Sequence, residues 1–211
     1  MGPYQRVSGA LSFREPSQPS DTQVDMPITL VSGRRAAMAL VCALAIGHPG
    51  QAKAQGYPFS QRGSVTQHVA LTTVAVEYGR PVARGRALFG QLVPWDSVWH
   101  PGADSATRVS FDHDVLIQGK PLKAGEYSLW LVPREHQPWT VIFSRAVHVF
   151  HKPYPGPSED VLRVDVAPVS ASHVESLTID FPLVLRDSAV MRIYWGETAV
   201  PVQLKAPYRP E

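Results

Sequence analysis

The stretch VLIQGKPLKAGEYSLWLVP, residues 115–133, decides the fold class. It predicts a strand, a glycine-containing reversal and a longer strand in which Tyr127, Leu129 and Leu131 share one face. Because successive side chains of a strand point to opposite faces, this period of two favours a half-buried β-strand over a helix. We therefore expect antiparallel β-structure at the centre of the domain.

The same alternation recurs on both sides of this hairpin, from Val65 to the end of the chain. Eight or nine short strands at this spacing predict an all-β fold, an antiparallel two-sheet β-sandwich of jelly-roll-like form. We expect one short helical turn, at 86–91, and the only other segment with a helical pattern is PSEDVL (157–162). The other alternating segments are TTVAVEYGRP (72–81), ATRVSFD (106–112), WTVIFS (139–144), DVLRVDVAP (160–168), ESLTIDF (175–181), SAVMRIYWG (188–196) and AVPVQL (199–204).

The region before the strands has the layout of a secretory signal. Arg34 and Arg35 precede the apolar run AAMALVCALAIG (36–47), and small residues suited to cleavage stand at Ala52 and Ala54. The run is shorter than the roughly 20 apolar residues that a membrane span needs. We expect an exported protein, periplasmic or extracellular, with no stable membrane span after cleavage.

These observations predict four parts of the chain. Residues 1–25 are expected to be a non-native or disordered extension, since Met26 makes a better start for the signal. Residues 26–54 would form the signal peptide and residues 55–63 a linker. Residues 64–206 would form a single sandwich domain, a length that suffices for one core.

Charge and cysteine content exclude several classes of function. Beyond Ala54 the chain carries 15 Lys and Arg residues against 15 Asp and Glu residues, so it lacks the positive charge that nucleic-acid binding requires. The single cysteine, Cys42, lies inside the predicted signal, which leaves no thiol for catalysis or disulfide formation. We expect no cofactor and no nucleic-acid partner.

The candidate ligand site is the loop LVPWDSVWHPGADSAT (92–107). Trp95 and Trp99 are suited to offer flat apolar faces to a sugar ring or a peptide, and His100 and Asp104 would supply hydrogen bonds. Under the alternative interpretation, the tryptophans close one end of the sandwich as buried aromatic residues.

Arg80 and Arg86 flank the segment PVARG (81–85) and extend this candidate site. Each is suited to form a two-pronged hydrogen bond with a carboxylate, either on a ligand or on Asp104. The second interpretation, an internal clamp between an arginine and Asp104 that pins the long loop, is the one that we favour.

Metal binding is a weaker hypothesis, for which the candidates are His100, Asp104, His148 and His151. Two histidines and a carboxylate are sufficient for zinc or copper, but the sequence lacks the close H-E-x-x-H spacing. Signatures of nucleophilic catalysis are also missing, which leaves the question of enzymatic activity open.

Three functions remain as hypotheses. The first is a non-catalytic exported domain that binds an envelope or extracellular ligand, a glycan or a peptide, at residues 80–105. The second is a metal-assisted envelope hydrolase. The third is a structural partner of another envelope protein, joined through an exposed strand edge.

A set of residues between positions 78 and 103 forms a specific motif: Tyr78, Arg80, Pro81, Gly85, Arg86, Phe89, Gly90, Leu92, Val93, Pro94, Trp99, Gly102 and Ala103. On these residues the chain resembles the bacterial family known as domain of unknown function 2911. The likeness implies an exported, mostly β protein without an established activity. The sequence departs from the family's Trp-Arg-Thr-Gly-Ala-Asn-Glu pattern at 99–105, where His, Asp and Ser replace its Arg, Asn and Glu.

Overall fold

The computed structural model describes residues 60–207, so the predicted signal peptide and the extension before it lie outside the described residues. The described part contains ten strands and one 3-10 turn, Pro157–Glu159. The strands are β1 (Gln61–Val69), β2 (Thr72–Arg80), β3 (Arg108–Phe111), β4 (Val115–Ile117), β5 (Lys120–Leu122), β6 (Gly125–Val132), β7 (Trp139–Ser144), β8 (Asp160–Val166), β9 (Val169–Val184) and β10 (Ser188–Lys205).

The strands form two sheets in which every neighbouring pair is antiparallel. One sheet has six strands in the order β1-β2-β3-β6-β7-β8, and the other has four in the order β5-β4-β10-β9. The all-β, two-sheet prediction is therefore confirmed. Ten strands replace the expected eight or nine, and the two last predicted segments form the single long strand β10.

Two boundaries differ from the sequence-based expectation. Strand β1 begins at Gln61, so the last three residues of the predicted 55–63 linker already pair with β2. The turn at 86–91 is not helical, because Gly90 adopts a positive φ of 86° and its amide donates forward to the carbonyl of Val93. The 3-10 turn of the described residues lies at Pro157–Glu159, within the other segment with a helical pattern, where proline occupies the first turn.

The main core lies between the two sheets, where the predicted alternation places it. Tyr127, Leu129 and Leu131 are buried together with Val74 and Val76. Burial of such apolar side chains provides the main driving force for folding.

Tyr78 also ties the two sheets together through its hydroxyl group. The hydroxyl accepts a hydrogen bond of 2.9 Å from the amide of Ile179 on β9 and donates one of 3.4 Å to the carbonyl of the same residue. Residue 78 belongs to the six-stranded sheet and residue 179 to the four-stranded sheet.

The six-stranded sheet is also buried on its outer face. Trp130 and Ile142 point away from the main core and are fully buried in a second, smaller apolar cluster. Two segments cover them, residues 100–106 and residues 145–156, which we call the cover loops. These loops pair with each other through backbone hydrogen bonds, one of them from the amide of Ala106 to the carbonyl of Val149 at 2.9 Å.

Within residues 60–207 no helix is long and apolar enough to cross a bilayer.

Candidate functional site

An aromatic cluster lies where the long segment 81–107 meets strands β7 and β10. Phe89 is at its centre, 4.7 Å from the Trp139 ring and 6.3 Å from the Trp95 ring, measured between centroids. Trp99 stacks on Trp195 at 6.0 Å with an angle of 16° between the rings. Because Trp139 and Trp195 belong to the main core, the cluster joins the predicted loop site to the interior of the sandwich.

Hydrogen bonding divides the tryptophans into two groups. Three donate their indole N–H to a protein acceptor, whereas Trp95 and Trp99 have no such acceptor within residues 60–207. The only fully buried side-chain polar atom without a partner in this part of the chain is His100 Nδ1, so both free indole N–H groups retain contact with solvent. The three satisfied donors are Trp130 to Ser128 Oγ (2.8 Å), Trp139 to the Arg134 carbonyl (2.8 Å) and Trp195 to the Glu175 carbonyl (3.1 Å).

This grouping bears on both interpretations of the loop. Trp95 and Trp99 are half-buried and pack against core aromatics, as expected for residues that close one end of a sandwich. Each nevertheless keeps an unsatisfied donor at the surface, as expected for a ligand contact. The loop therefore combines a packing role with an open polar edge.

A cleft of about 360 Å³ opens beside the cluster. This volume lies at the low end of the roughly 300–1,000 Å³ of small-ligand sites. The segment before β3 contributes one wall and strands β9 and β10 contribute the other. Residues with polar or aromatic side chains on these walls are Arg86, Phe89, Trp95, His173, Trp195, Glu197 and Thr198.

Two glycines with positive φ shape the cleft. A Cβ atom at Gly90 would lie 2.5 Å from Trp95 Nε1, and one at Gly196 would lie 2.7 Å from Leu88 Cδ1. Since real Cβ atoms do not approach other atoms so closely, any larger residue at either position would displace a cleft side chain. Both glycines also have φ values, 86° and 60°, that side chains with a Cβ rarely adopt.

Arg80 does not form the expected clamp with Asp104. Its Nε donates to the carbonyl of Leu177 at 3.2 Å, and its Nη2 donates to Thr178 Oγ1 at 3.3 Å. Arg80 thus links the end of β2 to β9 across the sandwich. The clamp prediction was wrong because strand β9, distant in sequence, supplies the acceptors.

Arg86 does not pair with Asp104 either. Its Nε and Nη2 donate to the carbonyls of Ala83 and Val82 at 2.8 Å and 2.6 Å, which folds the side chain back over its own turn. Its Nη1 has no partner within residues 60–207. Asp104 is exposed, and its carbonyl accepts a hydrogen bond from the amide of His151.

His100 lies apart from the cleft. The backbone of Trp99 pairs with Leu131 of β6, so that Trp99 faces the main core while His100 faces the outer cluster. The His100 ring is only 2% exposed and contacts Trp130 edge to face at 5.6 Å. The structure therefore separates His100 from Trp95 and Trp99, with which the sequence had grouped it.

Neither ring nitrogen of His100 has a hydrogen-bond partner in the described part of the chain, and Nδ1 is completely enclosed. Burial, with smaller contributions from His151 and Arg62, lowers the pKa of His100 to about 4. Desolvation disfavours the charged imidazolium, so the ring is neutral at pH 7.

The four metal candidates do not converge on one point. The rings of His100 and His151 are 6.1 Å apart between centroids, and His148 Nδ1 lies 3.5 Å from Arg108 Nη1. Within residues 60–207 no group of three or more His, Cys, Asp or Glu residues is placed to share a metal ion. The described geometry gives no support to the metal-site hypothesis.

The far wall of the cleft was not predicted from the sequence. It contains His173, Glu197 and Thr198, which come long after the predicted site in the chain and lie on strands whose polar residues resemble an ordinary solvated face. Their role depends on the pairing of β9 with β10, and no local signal reveals that pairing.

Together, the two sheets define an all-β sandwich domain, and the aromatic cleft is a small candidate ligand site on it. A family model described as "Protein of unknown function (DUF2911)" matches residues 60–204, from the first strand to the last. The chain belongs to this family, which confirms the resemblance noted from its sequence. No curated protein and no solved structure matches the chain.

Proposed function

We propose that the chain is an exported, non-catalytic sandwich domain that binds an envelope or extracellular ligand, a glycan or a peptide, at the end formed by residues 80–105. The observation that supports this most strongly is the pair of indole N–H groups of Trp95 and Trp99. In a structure that satisfies the other three tryptophan donors, these two lack a protein acceptor within residues 60–207 and are not fully enclosed. Of the two, Trp95 lines the cleft.

The surroundings of Trp95 support a binding role further. Its ring packs at 6.3 Å, between centroids, on both Phe89 and Trp139, and these contacts restrict its side-chain conformations before any ligand binds. A rigid aromatic side chain loses little conformational entropy on binding, and for this reason tryptophan is frequent in recognition sites.

Export is the other half of the proposal and depends on the signal pattern at residues 26–54. Its test is to express the full chain in a bacterial host and sequence the N-terminus of the protein from the envelope fraction. We expect the mature protein to begin at Gln55. An uncleaved chain retained in the cytoplasm would contradict export without affecting the binding proposal.

Binding is tested by screening the purified domain on arrays of oligosaccharides and of short peptides, with three variants. Trp95→Ala should abolish the signal of any ligand that occupies the cleft. Trp95→Phe keeps the aromatic face but removes the indole donor, and should retain part of the signal. Phe150→Ala is the matched control, because Phe150 is an exposed aromatic residue outside the cleft.

The variants must remain folded for this comparison to be valid, and Trp95→Phe provides the safeguard because it fills most of the same space. Ligands that bind equally well to Trp95→Ala and to the wild type would contradict the proposal. So would the absence of binding on both arrays.

A further inference from the structure

The cleft contains two opposite charges that do not neutralise each other. Arg86 stands on one wall and Glu197 on the other, yet no ion pair joins them. Arg86 uses Nε and Nη2 within its own turn, which leaves Nη1 free to donate. Glu197 is exposed, and its carboxylate forms no hydrogen bond within residues 60–207.

The space between these side chains has both an aromatic wall and polar walls. Trp95 lines the space beside Arg86, and Glu197 and Thr198 of β10 line it opposite them. The cleft therefore offers strong donors on one side, a strong acceptor on the other and an apolar surface along the same space.

A pyranose sugar matches this arrangement group by group. Each hydroxyl of a vicinal pair can both donate and accept, so that one pair can bridge a guanidinium and a carboxylate. The C–H face of the ring is apolar and suits an indole surface. A purely apolar peptide side chain would offer no partner to Arg86 Nη1 or to the Glu197 carboxylate.

We infer that the ligand of the cleft is a neutral pyranose unit of a glycan, with its hydroxyls bridging Arg86 and Glu197 and its C–H face on Trp95. This inference depends on the proposed binding function and narrows it to one ligand class. An acidic sugar would bring its carboxylate close to Glu197, and a zwitterionic peptide end would use the same two charges by ion pairing instead.

The test is isothermal titration of the exported domain with three probe sets. These are neutral oligomers of glucose, mannose and galactose, oligomers of galacturonic acid, and unblocked tripeptides. Each titration is run at about 20 mM and about 500 mM NaCl, because salt screens ion pairs at accessible sites but affects neutral hydroxyl contacts little. We expect a neutral oligomer to bind, with a Kd that changes less than about twofold between the two salt concentrations.

Variants then test whether the Glu197 carboxylate contacts the sugar. Glu197→Gln should weaken sugar binding about tenfold, because an amide accepts a weaker hydrogen bond than a carboxylate. The melting temperature should not change, since Glu197 is exposed and unpaired. Glu135→Gln, at an exposed carboxylate that does not line the cleft, is the matched control and should bind like the wild type.

The outcomes separate the two proposals. Tripeptides or galacturonate oligomers that bind in a Trp95-dependent manner, with neutral oligomers inactive, would overturn the sugar inference and leave the binding function standing. Neutral-sugar binding that Glu197→Gln does not weaken would overturn the assigned bridge. If no probe binds in a Trp95-dependent manner, the sugar inference fails, and the arrays then decide whether the binding function fails with it.

Discussion

The two faces of the six-stranded sheet are buried by different means. The inner face packs against the four-stranded sheet through alternating side chains of the strands themselves. The outer face is covered only by the cover loops, residues 100–106 and 145–156, which pair with each other. Strand packing yields an interior of apolar side chains, whereas the loop cover encloses His100 without a hydrogen-bond partner. A loop cover buries whatever side chains its backbone path dictates, polar ones included.

The two faces should differ most in how much free energy of unfolding is lost when a buried side chain is shortened and leaves a cavity. Leu129 on the inner face and Ile142 on the outer face are both fully buried on neighbouring strands. We expect Leu129→Ala to lower the free energy of unfolding by about 4 kcal/mol and Ile142→Ala by about 2 kcal/mol, because a loop can collapse into a cavity more easily than a second sheet can. Urea denaturation measures both, and an equal or larger cost for Ile142→Ala would show that the loop cover is as rigid as the sheet.

The pH dependence of stability tests the trapped histidine. The pKa of His100 is about 4 in the folded protein against 6.5 for the unperturbed ring. The unfolded chain therefore binds the proton more readily, so the stability from this group is fully present above pH 6.5 and is lost as the pH falls to 4. We expect a loss of about 3 kcal/mol over this window.

The variant His100→Leu has no imidazole to protonate, so it should not show this pH-dependent loss of stability. Urea denaturation at several pH values between 7 and 4 measures it. His148→Gln, at an exposed histidine, serves as the control and should follow the wild type. Parallel stability curves for the wild type and His100→Leu would mean that His100 is hydrated or paired in solution.

Removing the Tyr78 hydroxyl, which joins the two sheets, should lower the free energy of unfolding by a smaller amount. Tyr78→Phe keeps the aromatic ring but removes the acceptor for the amide of Ile179. We expect the free energy of unfolding to fall by about 1–2 kcal/mol, since a buried hydrogen bond is lost and one donor loses its partner. Thermal and urea denaturation should both show Tyr78→Phe to be less stable than the wild type. An unchanged stability would indicate that water replaces the hydroxyl.

The smallest effect is expected at the surface of the cover loops. Phe150 is 56% exposed, although its backbone bridges to Ser105 of the other loop. Phe150→Ala should change the free energy of unfolding by no more than about 0.5 kcal/mol, because the backbone pairing persists without the side chain. A larger loss would show that this aromatic ring helps to fasten the cover.

Much of the fold was predictable because period-two patterns are local. Tyr127, Leu129 and Leu131 identified the inner face of β6 before any tertiary information was used. The same pattern assigned Trp130 to the opposite, nominally solvated face, yet Trp130 is fully buried. Alternation distinguishes the two faces of a strand but does not reveal that a distant loop covers the second one.

The candidate site was predictable only in part, for a similar reason. Trp95, Trp99 and Arg86 stand close together in sequence, so their composition drew attention to the loop. His100 belongs to the same loop but faces the other way, because strand-like pairing at Trp99 alternates the directions of neighbouring side chains. Glu197 could not be found from sequence, since only sheet assembly brings β10 beside the loop.

The sequence by itself determined the all-β class, the positions of most strands and the residues of the inner core, because these follow from side-chain alternation over a few residues. Only the tertiary structure decided which tryptophans are satisfied, where His100 is buried and what forms the far wall of the cleft. Those features depend on contacts between segments far apart in the chain, and no local pattern of hydrophobicity encodes such contacts.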